Sequence, residues 1–318
     1  MQRKILIVFA GLVVLGLGNY ALNETPLLFS EPAAYTVADP AQYFSPAVAP
    51  VFQTRPEHDT LIIFFHGFPA SPREFRLVAQ SLAGEYDIDV PLLPGFGTTT
   101  AAVKQSNFSQ WLAYARAEYL KQRPRYAHVY LCGQSMGGTL VLRLAETLLP
   151  EETPTGIIVL STPVFLNNVL GAGVYYDWRL YFSRILSWVI SELHVQEPQV
   201  DQDGAEWVGF KGVKFLKQVH SLKMGMRQTR LALGEITVPA LIMNAQGDKT
   251  VPFKNGFYVA GHIRSTIIRL RIFDLRAWKH TRHLLSMYRT TRGQVVEEIR
   301  RFVQDGNHGF LPDKSMGR

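Results

Sequence analysis

Cysteine is almost missing from this chain: Cys132 stands alone among 318 residues. A single thiol excludes an intrachain disulfide and any zinc site built from cysteines. It is compatible with a cytosolic protein and with an exported bacterial one, so it does not choose a compartment. Charge is also modest, at 19% of residues against 47% hydrophobic, a balance that excludes a disordered chain and allows a full core. Acidic residues are the scarcer sign, 26 against 33 lysines and arginines, leaving a net charge of +7. Such an excess draws anionic partners only where it clusters. The arginines are scattered among structural elements and no recognition motif is present, so nucleic acid is not an expected partner. No internal repeat or low-complexity tract interrupts the chain, and its length suits one large α/β domain with an insertion, or two modest domains.

What is present begins with an apolar run. Gln2, Arg3 and Lys4 form a short polar and basic start, residues 5–18 are unbroken apolar, and Tyr20, Ala21 and Leu22 extend the run past Asn19. That reaches about the lower limit of a membrane-spanning helix. A buried core helix would carry a polar stripe, which this run lacks. The remaining readings are a cleaved signal peptide and an uncleaved anchor. Asn19 fits a small-x-small cleavage site poorly, which favours the anchor. Arg3 and Lys4 precede the run while Glu24 and Glu31 follow it, so the rest of the chain is expected outside the cytoplasm.

Six prolines between residues 26 and 56 mark residues 25–58 as an extended linker with early edge strands. Apolar runs at 61–65, 87–93, 128–132, 156–160, 240–244 and 266–273 then alternate with helical stretches at 73–84, 108–122, 136–149, 253–262 and 292–303. This alternation implies an α/β fold with a mostly parallel sheet covered by helices on both faces. In the last strand Arg269 and Arg271 alternate with Ile268, Leu270 and Ile272, a wet face expected near a sheet edge. Residues 59–163 and 237–306 form the expected core, and residues 307–318 a flexible tail. Residues 164–236 break the alternation and read as a helical cap inserted over the sheet's carboxyl edge, where ligands of open α/β sheets bind.

Gly133-Gln134-Ser135-Met136-Gly137 has the form G-x-S-x-G. An apolar strand runs into it and a helix carrying Leu140, Val141, Leu144 and Ala145 runs out, the strand–turn–helix setting in which such a serine becomes an exposed nucleophile. A nucleophilic serine needs donors for the oxyanion. The glycine turn His66-Gly67-Phe68-Pro69 can aim one backbone N–H into the site, and the helix start supplies another at Met136. His66 itself reads as structural. The serine also needs a base and a carboxylate to orient it. Asp248 lies just past the strand at 240–244, where it is either a turn aspartate or that carboxylate. His283 and His280 follow the final strand, and either can be the base. His283, just before Leu284 and Leu285, is favoured. The two histidines have no third ligand beside them, so no metal site is expected.

The stretches His66-Gly67-Phe68-Pro69-Ala70-Ser71-Pro72-Arg73-Glu74, Pro91-Leu92-Leu93-Pro94-Gly95-Phe96-Gly97, Gly133-Gln134-Ser135-Met136-Gly137-Gly138 and Gly247-Asp248 through Val251-Pro252 resemble the monoglyceride lipase and carboxylesterase branch of the α/β hydrolases. The resemblance covers about residues 60–163 and 238–304. It implies a cofactor-independent carboxylic ester hydrolase with Ser135, Asp248 and a histidine as triad, and with Phe68 and Met136 as oxyanion donors. Arg282 before His283 departs from the small residue usual there, and keeps His280 in play. Substrates implied are monoacylglycerols or short- to medium-chain acyl esters. Thioester or amide hydrolysis, acyl transfer, perhydrolysis and a catalytically inert binding protein stand as alternatives. Epoxide hydrolases and haloalkane dehalogenases place aspartate where Ser135 stands, which disfavours both.

In the cap, Tyr175, Tyr176 and Trp178 are candidate substrate contacts. Lys211, Lys214 and Lys217 recur every third residue, followed by Lys223, Arg227 and Arg230. That spacing reads as the solvated face of a helix, or as a basic lid touching an anionic membrane.

Overall fold

Thr60–Phe65 carries no charge and forms a strand, β2, buried along its whole length. The computed structural model describes residues 2–23, 25, 35–166, 180, 182–195, 203, 206–275 and 281–310. Its main sheet has seven strands in the order β1 (Val51–Gln53), β3 (Asp87–Val90), β2, β4 (His128–Gln134), β5 (Gly156–Leu160), β8 (Ala240–Ala245) and β9 (Ile268–Phe273). Only β1 runs antiparallel to its neighbour. Strand alternation sends Leu61, Ile63 and Phe65 into one core layer and Ile62 and Phe64 into the other. The first layer lies under α3 (Thr100–Gln105), α4 (Phe108–Gln122), α5 (Met136–Thr147) and α8 (Lys254–His262); the second lies under α2 (Arg76–Leu82) and α9 (Arg289–Asn307). This is the mostly parallel α/β sheet, with helices on both faces, expected from the sequence.

β9 stands at the sheet edge, as its alternating arginines predict. The strand expected over 87–93 ends at Val90, because Pro91 and the left-handed residues Gly95 (φ 86°) and Gly97 (φ 77°) turn the chain away. The closing helix is longer than its apolar pattern, running from Arg289 to Asn307.

The helix α1 (Gln2–Asn23) is long and apolar enough to cross a membrane, and its span Lys4–Leu22 is not buried against the protein. A core helix is thereby excluded. Between β5 and β8 the described residues include α6 (Ser183–Leu186), a two-stranded ribbon of β6 (Glu192–His194) and β7 (Val213–Phe215), and α7 (Leu216–Ala232). The period-three lysines therefore do not share a helix. Lys211 precedes β7, Lys214 lies on it, and only Lys217 enters α7, because Gly212 adopts φ 68° and breaks the helical path. All three are exposed, whereas Lys223 is buried and Arg230 turns inward to donate to the Val164 carbonyl (3.0 Å).

Candidate active site

β2, β4, β5, β8 and β9 are parallel, so the segments that follow them emerge at one edge of the sheet. That edge gathers the His66–Phe68 turn after β2, Ser135 after β4, Asp248 after β8 and His283 in the segment beyond β9.

Ser135 takes φ 55° and ψ −123°, a conformation that L-residues rarely adopt. It turns the chain sharply from β4 into α5, and its own N–H donates to the Leu160 carbonyl (2.9 Å). The turn is possible because its neighbours lack side chains. A Cβ at Gly137 would overlap the Phe65 carbonyl, one at Gly133 would strike Gly137, and one at Gly138 would strike the Thr162 side chain. Met136 opens α5, so its N–H has no intrahelical acceptor. Among the described residues, neither that N–H nor the one of Phe68 has a hydrogen-bond partner.

The turn carrying Phe68 is held from several sides. His66 Nε2 accepts from the Leu93 N–H (3.1 Å), which leaves the proton on Nδ1 to be donated to the Gly67 carbonyl (2.9 Å). Burial pushes the His66 pKa down to about 4, against the raising effect of the Gly67 bond, so this ring is neutral at pH 7. It ties the turn together, as its structural reading expected. The Gly67 N–H donates to Glu74 Oε2 (2.7 Å), and the indole N–H of Trp207 donates to Glu74 Oε1 (3.1 Å). Glu74 is buried; burial pushes its carboxyl pKa up, against these two hydrogen bonds and the nearby His283. Two further bonds stitch the same turn to the cap: Ser71 Oγ to the Val208 carbonyl (2.7 Å) and the Phe210 N–H to the Pro69 carbonyl (3.0 Å). The Phe68 ring packs among Phe96, Trp111 and, on β7 of the cap, Phe215.

Asp248 is shared between two tasks. Its Oδ1 accepts from the backbone N–H groups of Thr250 and Val251, each at 2.8 Å, which is the turn role open to it from sequence. Its Oδ2 lies 2.7 Å from His283 Nδ1, and both side chains are buried. Burial disfavours the charged imidazole, yet the charge and hydrogen bond of Asp248, with the charge of Glu74, outweigh it and raise the His283 pKa above 6.5. Arg282, unusual before such a histidine, reaches Asp203 in the cap (3.4 Å) and lies over the Tyr288 ring. Its backbone N–H donates to the Gly247 carbonyl (3.0 Å). The departure from the family pattern thus supplies a strut between the histidine segment and the cap.

His280, Tyr175, Tyr176 and Trp178 lie outside the described residues. Among the described residues no group of three or more His, Cys, Asp or Glu is placed to hold a metal. In the sequence Glu74 stands only as the last residue of the stretch that begins at His66. Its signal there was a carboxylate seven residues after Gly67, which periodicity does not distinguish from a surface residue.

Residues 60–183 match the α/β hydrolase fold family. A thermostable monoacylglycerol lipase from Bacillus sp. (strain H-257) is 29% identical over 214 residues, covering 66% of this chain and 80% of that protein. Among solved structures, a metagenome-derived lipolytic enzyme of the LipS and LipT pair superposes with a TM-score of 0.70 at 22% identity, over 82% of this chain and 98% of that one. A soluble variant of the Saccharomyces cerevisiae monoglyceride lipase, bound to a substrate analogue, gives 0.65 at 12% identity, over 81% and 90%. At these identities the structural likenesses speak for the fold alone.

Proposed function

We propose, on the premise that the chain is an α/β hydrolase similar to the monoacylglycerol lipases, that it is a serine esterase anchored by α1 on the extracytoplasmic face of a membrane. The observation that carries the catalytic reading is the buried 2.7 Å pair of Asp248 and His283, on segments following two strands, at the sheet edge that also bears Ser135. With Nδ1–H donated to Asp248, the His283 Nε2 lone pair is available to the serine. Ser135 Oγ attacks the ester carbonyl carbon as Nε2 takes its proton. The carbonyl oxygen becomes an oxyanion received by the N–H groups of Phe68 and Met136, the latter at the positive end of α5. Collapse expels the alcohol, which takes the proton from His283, and leaves Ser135 acylated. Water then attacks the acyl-enzyme with the same histidine as base, releasing the acid. The relatives named as monoacylglycerol lipases, the aromatic wall around Phe68 and the apolar α1 all favour a lipid-like acyl ester, a monoacylglycerol or a short- to medium-chain ester.

A fluorophosphonate probe tests the nucleophile. Wild-type protein is expected to label and Ser135→Ala not to, while both fold alike by circular dichroism. An unlabelled wild type, or labelling that survives Ser135→Ala, overturns the reading.

The pH profile offers a separate check. His283 acts as base only when neutral, and its pKa is raised above 6.5, so kcat/KM for a p-nitrophenyl ester is expected to rise with pH along a limb centred above that value. The Glu74 charge favours imidazolium. Removing it in Glu74→Gln lowers the His283 pKa and moves the limb to lower pH. The same change leaves only one acceptor for the two donors at Gly67 and Trp207, so the plateau of kcat is expected to fall by about tenfold through a looser oxyanion turn. A limb that stays in place shows that Glu74 exerts no charge on His283.

A further inference from the structure

The end of α1 is fastened to the cap. Arg184 of α6 donates to the carbonyls of Leu22 (2.5 Å) and Thr25 (2.8 Å) and also contacts the Thr25 hydroxyl. His220, buried on α7, donates from Nε2 to the Thr25 carbonyl (3.1 Å). Leu22 closes the apolar span of α1. If that span crosses a bilayer, Leu22 lies at its interface, and α6 lies there too. The end of α6 and the segment that continues from it present Leu186, Trp188, Val189, Ile190, Leu193 and Val195 to solvent, Trp188 at 63% and Val189 at 86% exposure. A soluble protein seldom exposes so many large apolar side chains within ten residues.

The β6–β7 register shows which way this surface looks. Glu192 pairs with Phe215, which is fully buried against the Phe68 side of the site; Leu193 pairs with Lys214, so these two point to the opposite, outer face. Lys211 and Lys217, on either side of β7, are exposed as well. An apolar, tryptophan-bearing surface flanked by lysines, beginning where a membrane-length helix ends, has the chemistry of an anionic bilayer interface.

We propose that the outer face of the cap, residues 182–195 with Lys211, Lys214 and Lys217, is a docking plate that lies in the headgroup region of an anionic bilayer and holds the active-site cap against the membrane. This rests on the anchoring role of α1 given above. One ribbon then has two occupants: lipid headgroups against Leu193 and Lys214, and the site's aromatic wall against Phe215.

The test uses the full chain reconstituted into phosphatidylcholine–phosphatidylglycerol vesicles. Cys132 is fully buried, so single cysteines introduced as Leu15→Cys in α1, Val189→Cys in the plate and Ser81→Cys on α2 can each carry an NBD fluorophore. Thermal midpoints confirm that each variant folds. Doxyl-labelled lipids are expected to quench the Leu15 and Val189 labels and to leave the Ser81 label, on the other side of the sheet, unquenched. Adding Lys211→Glu, Lys214→Glu and Lys217→Glu to Val189→Cys is expected to cut that quenching by at least about half. A quenched Leu15 label with a Val189 label as unquenched as Ser81 overturns the plate and spares the anchor. An unquenched Leu15 label overturns the anchor, and the plate with it. Quenching at Val189 that ignores the three glutamates overturns the electrostatic part of the proposal.

Discussion

Ser135→Ala is expected to lower kcat for a p-nitrophenyl ester by about 10⁶-fold, His283→Ala by about as much, and the double variant by no more than either alone. The reason is that the serine hydroxyl is a weak nucleophile until a base removes its proton, so each group is idle without the other. What survives is expected to come from the proposed oxyanion donors, the N–H groups of Phe68 and Met136, and from substrate binding, which neither change touches. KM should therefore shift little. Losses that multiply in the double variant would show two groups acting separately, and the triad reading would fall. A His283→Ala protein that keeps its activity would move the base to another histidine, with His280 the first to replace.

Asp248→Asn is expected to lower kcat by about 10⁴-fold while leaving the fold intact. The two oxygens of Asp248 are not equivalent. Oδ1 is held by the backbone N–H groups of Thr250 and Val251, so an asparagine there must turn its carbonyl oxygen towards them. Its NH₂ then faces His283 Nδ1, the atom that now sits 2.7 Å from Oδ2. A donor facing Nδ1 forces the proton onto Nε2, and the ring can no longer accept from Ser135. The turn itself keeps both backbone bonds, so the thermal midpoint should hardly move. Asp248→Ala breaks the turn as well and should lose both activity and stability. Near wild-type activity in Asp248→Asn would assign Asp248 to the turn alone.

The sheet and Ser135 were legible from sequence because they depend on patterns that survive in one dimension. Five apolar residues in a row, such as those at 61–65 within the strand Thr60–Phe65, have few alternatives to a buried strand. The glycines at 133, 137 and 138 flank the serine because the backbone is too crowded there for a Cβ. The arginines of β9 announced an edge in the same way, by alternation. What failed to show was whatever depends on contacts across the chain. Lys211, Lys214 and Lys217 have helical spacing, yet a single left-handed residue, Gly212, and a three-residue strand reassign two of them. Strands this short carry too little periodicity to compete with a seventeen-residue helix beside them. Arg282 looked like a defect in the histidine motif until Asp203 and Tyr288 supplied partners remote in sequence. Glu74 is the clearest case: its bonds to Gly67 and Trp207 span seven and 133 residues, and only the fold joins them.

The stitching of the cap to the core bears on engineering. Trp207, Val208 and Phe210 hold the turn that carries Phe68, and Asp203 holds the segment that carries His283. The segment between β5 and β8 is therefore not a detachable module. Grafting a relative's cap onto this scaffold would remove the partners of Glu74, Ser71 and Arg282 at once, loosening two parts of the site that the graft never touches. A chimera designed to change substrate range would have to carry those three core positions along with the cap.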